Sequence, residues 1–150
     1  MLSYASPRVD SAPADANGAS LLGLWSDDSL YQGSMEGNRV AFLAGGTGWF
    51  EHANALAAEL ERFTWEHLAA GRIRMRFTRY LYLENGHPAK VEEHWHSDPM
   101  VITARVGRGT DALNRAVTVL TLEDPPQPDH RYALVRRNVQ DTDDPAIHHD

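Results

Sequence analysis

The chain has 150 residues, fourteen basic against twenty-one acidic for a formal charge of −7, 42% hydrophobic residues and no cysteine. That is the length of one domain, enough to bury roughly 70% of the surface of the unfolded chain. It excludes disulfides, a thiolate nucleophile and cysteine-ligated zinc or iron–sulfur sites. The acidic balance argues against nucleic acid as the main partner. The acidity is uneven, however: residues 138–150 carry −4 and the body 21–137 holds thirteen basic and fifteen acidic residues. The firmer argument against nucleic acid is therefore that no recognition motif is present. No apolar run approaches the ~20 residues of a membrane helix. The N-terminus lacks the basic-then-apolar pattern of a secretory signal. A soluble, cytoplasmic single domain is the expectation.

Residues 1–20, rich in Ala, Ser, Pro and Asp without periodicity, read as a disordered or loosely docked arm. Twelve of the thirteen aromatic residues fall between Trp25 and Tyr132, which marks the folded body. Within it the pattern is mostly period two. Arg39 to Leu43 is a short strand, Gly45-Gly46-Thr47-Gly48 a hairpin turn, and Trp49 to His52 leads back. Ala55 to Arg62, rich in Ala, Leu and Glu, reads as a short helix or as the bend between two strands; Phe63 to Trp65 is a further strand. Arg72 to Leu83 alternates most clearly: odd positions are apolar except Arg79, and even positions are Arg, Thr or Tyr. A strand gathers such arginines on one face, whereas a helix scatters them. Glu84-Asn85-Gly86 turns the chain. Val91 to Trp95, Met100 to Val106, Leu113 to Leu122 and Arg131 to Arg137 continue as strands, with Pro125 to Pro128 as a loop. Residues 138–150 read as an acidic solvated tail. Eight to ten strands with so little helix imply a sandwich or an up-and-down β-barrel, and closure, which removes exposed edges, favours the antiparallel barrel.

Gly23-Leu24-Trp25 at the start of the first strand is similar to the Gly-x-Trp signature that opens the barrel of lipocalins and other calycins. The Val40 to Gly48 stretch, followed by the Arg62-Phe63-Thr64-Trp65 strand, also resembles small bacterial lipocalin-like proteins. The resemblance covers roughly residues 21–137. It implies a barrel-closing set of Gly23, Trp25 and a final-strand arginine, Arg136 or Arg137, with Arg136 the choice carried forward. It further implies a lumen for a small, largely apolar molecule. Some members of this kind are cyclases or isomerases of natural-product biosynthesis that fold a flexible substrate inside the barrel. That chemistry draws on shape and one or two polar groups, so no strong motif accompanies it.

The register of the Asn85-Gly86 hairpin decides which residues point inward. A three-residue loop pairs Leu83 with His87 and sets Val91, Glu93 and Trp95 on the apolar face. Glu93 then lies in the lumen with Arg79 one strand over, either as an internal ion pair or as a polar anchor or acid/base. A two-residue loop instead turns Glu92, His94 and His96 inward, as an alternating set able to ligate a metal with His52 or His130. The first register is preferred, so no metal and no cofactor are expected. Candidate catalytic groups are Glu93, Arg79 and His52. Candidate ligand-lining groups are Trp49, Phe63, Trp65, Met75, Phe77, Trp95 and Tyr31. The Arg72/Arg74/Arg76 stripe reads as a solvated strand face.

Two functions follow: a barrel binding a small apolar or amphipathic molecule, and a cofactor-independent cyclase or isomerase on the same scaffold. A protein acting through its surface is a third. No nucleic acid and no membrane are expected as partners, and a homodimer is left open.

Overall fold

The period-two pattern is realised as strands throughout. The computed structural model describes residues 12–13, 19–31, 35–69, 71–93, 98–123 and 130–146. In chain order the strands are β1 (Ala12–Pro13), β2 (Gly23–Ser26), β3 (Gly37–Phe42), β4 (Thr47–Ala53), β5 (Ala57–Ala69), β6 (Arg72–Glu84), β7 (His87–Glu93), β8 (Met100–Thr110), β9 (Ala116–Glu123) and β10 (His130–Arg136). Two short 3-10 turns, Ala19–Leu21 and Asp141–Asp143, are the only helical segments among the described residues. None of the described helices is long and apolar enough to cross a membrane. The segment Ala55 to Arg62 is not a helix. Its helix-favouring residues lie in β5, a strand of 13 residues that is paired along both edges, by β4 and β6, and tertiary pairing overrides the local preference.

Eight strands close an antiparallel barrel in the order β2-β3-β4-β5-β6-β8-β9-β10, with β10 returning to β2. β6 serves two neighbours along its length. Arg72 to Met75 pair with β8, and Arg79 to Glu84 pair with β7. β7 therefore extends the wall beyond the closed barrel, and all seven of its residues are exposed.

Two apolar clusters lie on opposite faces of this wall. The inner one holds Leu21, Trp25, Val40, Phe42, Phe63, Ile73, Met75, Leu120 and Tyr132, among others. Aromatic rings dominate it: Phe42 meets Phe63 and Trp65 edge-on at 5.5 and 5.3 Å, and Phe63 meets Phe50 and Phe77 at 5.1 and 6.3 Å. The outer one joins Leu24, Ala41, Trp49, Leu60, Leu81, Leu83 and Ala146. Apolar residues on both faces explain why alternation blurs in β3, where Val40, Ala41 and Phe42 are all fully buried.

Two bulges set which face each residue takes. β6 holds one extra residue against β5: Phe63 opposes Phe77 but Arg62 opposes Arg79. Below this bulge the odd residues Ile73, Met75 and Phe77 face inward. Above it the odd residues Arg79, Leu81 and Leu83 face outward, and Tyr80 and Tyr82 turn in. The Asn85-Gly86 turn is a two-residue loop, with Glu84 opposite His87 and both turn residues at positive φ (50° and 81°), the conformation this dipeptide favours. The expected three-residue loop is therefore absent. A second bulge, at Ala89, then restores Arg79 opposite Glu93 and Tyr80 opposite Glu92.

One pole is closed as the Gly-x-Trp resemblance implies. Trp25 is fully buried and donates its indole N–H to Leu21 O at 2.9 Å. The cation over its ring is Arg137, at 5.4 Å, which also donates to the carbonyls of Ser20 and Leu22. Arg136, the expected partner, instead binds Asp143. The cause is an irregularity in β10 between Leu134 and Arg136, which shifts the pairing with β2. Gly23, at φ 144°, sits where a Cβ would meet Arg136 O at 2.8 Å.

The segment after β10 does not run free into solvent; as far as Ala146 it docks along the outer face. Arg62 grips Asp144 with both guanidinium nitrogens (2.8 and 3.1 Å), Arg136 holds Asp143, Arg39 donates to Asp143 O, and Ala146 is buried against the outer cluster.

Gly48 provides a direct test of the core. A Cβ there would meet Ala41 O at 2.3 Å and the Phe63 ring at 2.5 Å, whereas one at Gly45 meets nothing. Gly48→Ala should cost about 2 kcal/mol or more and Gly45→Ala less than about 0.5 kcal/mol in urea unfolding. Asp143 tests the docked segment. Burial opposes its ionisation, but hydrogen bonds from Arg136 and the Gln140 N–H, with the charges of Arg136 and Arg39, hold its carboxyl below the ordinary value. A depressed carboxyl contributes stability that is present above the unfolded-state value, near 3.9, and lost as pH falls through the folded one. Asp143→Asn should therefore flatten the fall in stability below about pH 4 in urea titrations.

Candidate functional site at the barrel mouth

The end of β2, the start of β3, the end of β4, the start of β5, the end of β6 and the start of β10 meet at the pole opposite the Trp25 plug. Residues directly opposite on neighbouring strands share a face, so the inner lining can be followed from strand to strand. Phe50 packs on the inner cluster; Glu61 opposes Phe50, Tyr80 opposes Glu61 and Glu92 opposes Tyr80. One rung nearer the opening run Asn38, His52, Glu59, Tyr82 and Lys90. The lining thus changes from aromatic to ionisable within a single rung.

Asp27, two residues beyond Trp25, anchors this rim. Its side chain is only 8% exposed. It accepts from the Asn38 backbone N–H and the Asn38 side-chain amide, both at 2.8 Å, and His130 Nε2 lies 3.3 Å away. Because the Asn38 Nδ2 donates to Asp27, its Oδ1 is the atom facing His52 Nδ1 at 2.7 Å. An amide oxygen only accepts, so that ring nitrogen carries the proton. His52 Nε2 lies 3.5 Å from Glu36. A chain Glu36–His52–Asn38–Asp27–His130 therefore borders the opening.

Two tyrosines flank the chain. Tyr132 is 5% exposed and stacks on His130 with ring centroids 4.6 Å apart. Burial, and then the nearby Asp27 and Tyr31, push its phenol well above the ordinary value. Its hydroxyl makes no hydrogen bond to any described residue. Tyr80 donates to Glu59 at 3.2 Å, and burial followed by Glu59, Glu61 and Glu92 raises its phenol too. The arrangement offers carboxylates, imidazoles and neutral phenols above an aromatic floor.

The expected site residues divide between the two faces. Phe63, Trp65, Met75 and Phe77 belong to the inner cluster or pack against it. His52 lies in the rim, and Tyr31 is half-exposed beside Tyr132. Arg79 and Glu93 do not lie in the lumen. The β6 bulge turns them outward, where they pair at 3.0 Å with Glu93 half-exposed. Trp49 is also outside, in the outer cluster under the Arg39 guanidinium at 5.2 Å. Trp95, His94 and His96 lie outside the described residues. Glu92 faces inward, paired with Lys90 at 3.2 Å, and no group of three or more potential ligands is placed to hold a metal ion among the described residues. Asp27, Asn38, Glu59, Tyr80 and Tyr132 were missed. Asp27 continues the inward parity of Trp25, and the interruption of the apolar odd series at Arg79 marked where Tyr80 takes over the inner face.

No family model, curated protein or solved structure matches the chain. The class rests on the fold: a closed eight-stranded antiparallel barrel, plugged by a tryptophan under an arginine, is consistent with a calycin-like fold.

The rim makes a stability contrast. Asp27→Ala strands the half-buried donors of Asn38 beside the buried Asp27 site and should cost about 1–2 kcal/mol in denaturant unfolding. Tyr132→Phe removes a hydroxyl that makes no hydrogen bond to a described residue and should shift stability by less than about 0.5 kcal/mol. Equal costs would contradict the bonding described.

Proposed function

We propose that this protein is a lipocalin-like barrel that binds a small amphipathic molecule. The apolar part of the ligand would lie among Phe42, Phe50, Phe63, Trp65 and Phe77, with its polar part at the rim of Asp27, His52, Glu59, Tyr80 and His130. The observation that carries the reading is the one-rung change on the inner face, from packed aromatic rings to ionisable groups. Small-molecule sites combine an apolar lining with a few convergent polar groups in this way, and a barrel of eight strands is wide enough for one such molecule. The Gly23-Leu24-Trp25 motif with Arg137 over the ring supports the lipocalin-like assignment. A cyclase or isomerase built on Arg79 and Glu93 loses its polar groups, because they pair with each other on the outer face.

Native mass spectrometry of the purified protein tests the reading. A bound small molecule should be released on denaturation, and the emptied protein should enhance the fluorescence of the neutral probe N-phenylnaphthylamine. An empty protein that also leaves the probe dark overturns it.

A further inference from the structure

We infer that β7 is an interaction edge whose occupant is β7 of a second copy of this chain, paired antiparallel about a two-fold axis at Val91. The inference concerns the end of the sheet and is independent of the binding reading above.

Each of the eight barrel strands has a neighbour on both sides, whereas β7 pairs only with β6 among the described residues. All seven of its residues are exposed. A free edge presents unpaired N–H and C=O groups to any strand that matches it. Which groups face outward follows from the ladder. The Asn85-Gly86 turn bonds Glu84 to His87, and from there opposed pairs alternate between bonded and non-bonded. Past the bulge at Ala89, Tyr82–Lys90 and Tyr80–Glu92 are the bonded pairs, and Leu81–Val91 and Arg79–Glu93 the others. Val91 and Glu93 therefore turn their N–H and C=O to the free edge. Pro88 and the bulge blunt that edge only next to the turn; from Lys90 to Glu93 the register is regular.

The residues themselves select the occupant. For two copies to share one continuous sheet, inward residues must oppose inward ones, so the axis passes through a residue. An axis at Lys90 sets lysine against lysine, and one at Glu92 sets glutamate against glutamate. An axis at Val91 sets each Lys90 against Glu92 of the other copy, and Val91 against Val91. Opposite charges favour such cross-strand pairs and like charges oppose them. Lys90 and Glu92 already lie 3.2 Å apart within the strand, so four charges alternate around the axis. Val91, 45% exposed opposite the fully buried Leu81, gains an apolar partner.

Sedimentation velocity over a concentration series at low salt tests the inference. The protein should dimerise as its concentration rises. Lys90→Glu or Glu92→Lys alone should weaken association at least about tenfold. An equimolar mixture of the two variants should recover it, because the reversed charges then face opposite ones across the axis. Both side chains are exposed, and circular dichroism checks folding; if either single variant fails to fold, the chain carrying both substitutions decides, and it should dimerise like the unsubstituted one. A monomer at every concentration leaves the edge to solvent or to an unrelated strand and overturns the inference. A dimer that the single reversals leave intact, or that the mixture does not restore, places the contact elsewhere and overturns it as well.

Discussion

A single extra residue in β6, at Thr78, decides the character of both faces of the upper barrel. Below it, Ile73, Met75 and Phe77 fill the interior; above it, the same odd positions carry Arg79, Leu81 and Leu83 to the outside. Without the bulge, Arg79 would point into the lumen beside Phe77, and an uncompensated guanidinium there is costly. With it, Arg79 reaches Glu93 while the Thr78 hydroxyl donates to Arg62 O at 3.3 Å, satisfying a carbonyl at the irregular step. Bulges next to sites re-aim side chains in this way. Here the re-aimed residues are Tyr80 and Tyr82, which bring phenols to the mouth.

The outer face follows from the same step. Leu81 and Leu83 would be exposed apolar residues on a bare sheet. They are buried because the segment up to Ala146 lies over them, held by arginine–aspartate pairs that are themselves partly shielded. The aspartates of that segment are therefore anchors for a second layer.

Much of this was legible in the residues. Alternation located nearly every strand, and Gly23-Leu24-Trp25 with a basic pair on the last strand pointed to the plugged pole. The choice between Arg136 and Arg137 was not legible, because it turns on a one-residue irregularity in β10. The same holds for the Arg79–Glu93 pair. Their mutual opposition was close to what alternation suggests, but two bulges lie between the pattern and the face, and nothing in the residue types around Thr78 or Ala89 announces them. Trp49 misled for a related reason: a large ring on a barrel strand reads as lumen until a second apolar layer outside is known. Apart from His52, the rim was missed because its members come from six strands and the loops beside them and share no spacing.

The parity switch at Thr78 is read most directly by methyl-directed nuclear Overhauser measurements. The Leu81 methyls should show contacts to Leu60 and the Ala146 methyl, and none to the Phe63 ring or Ile73. Contacts from Leu81 to Phe63 or Ile73 would place it inside, turn Tyr80 outward and contradict the description of the mouth.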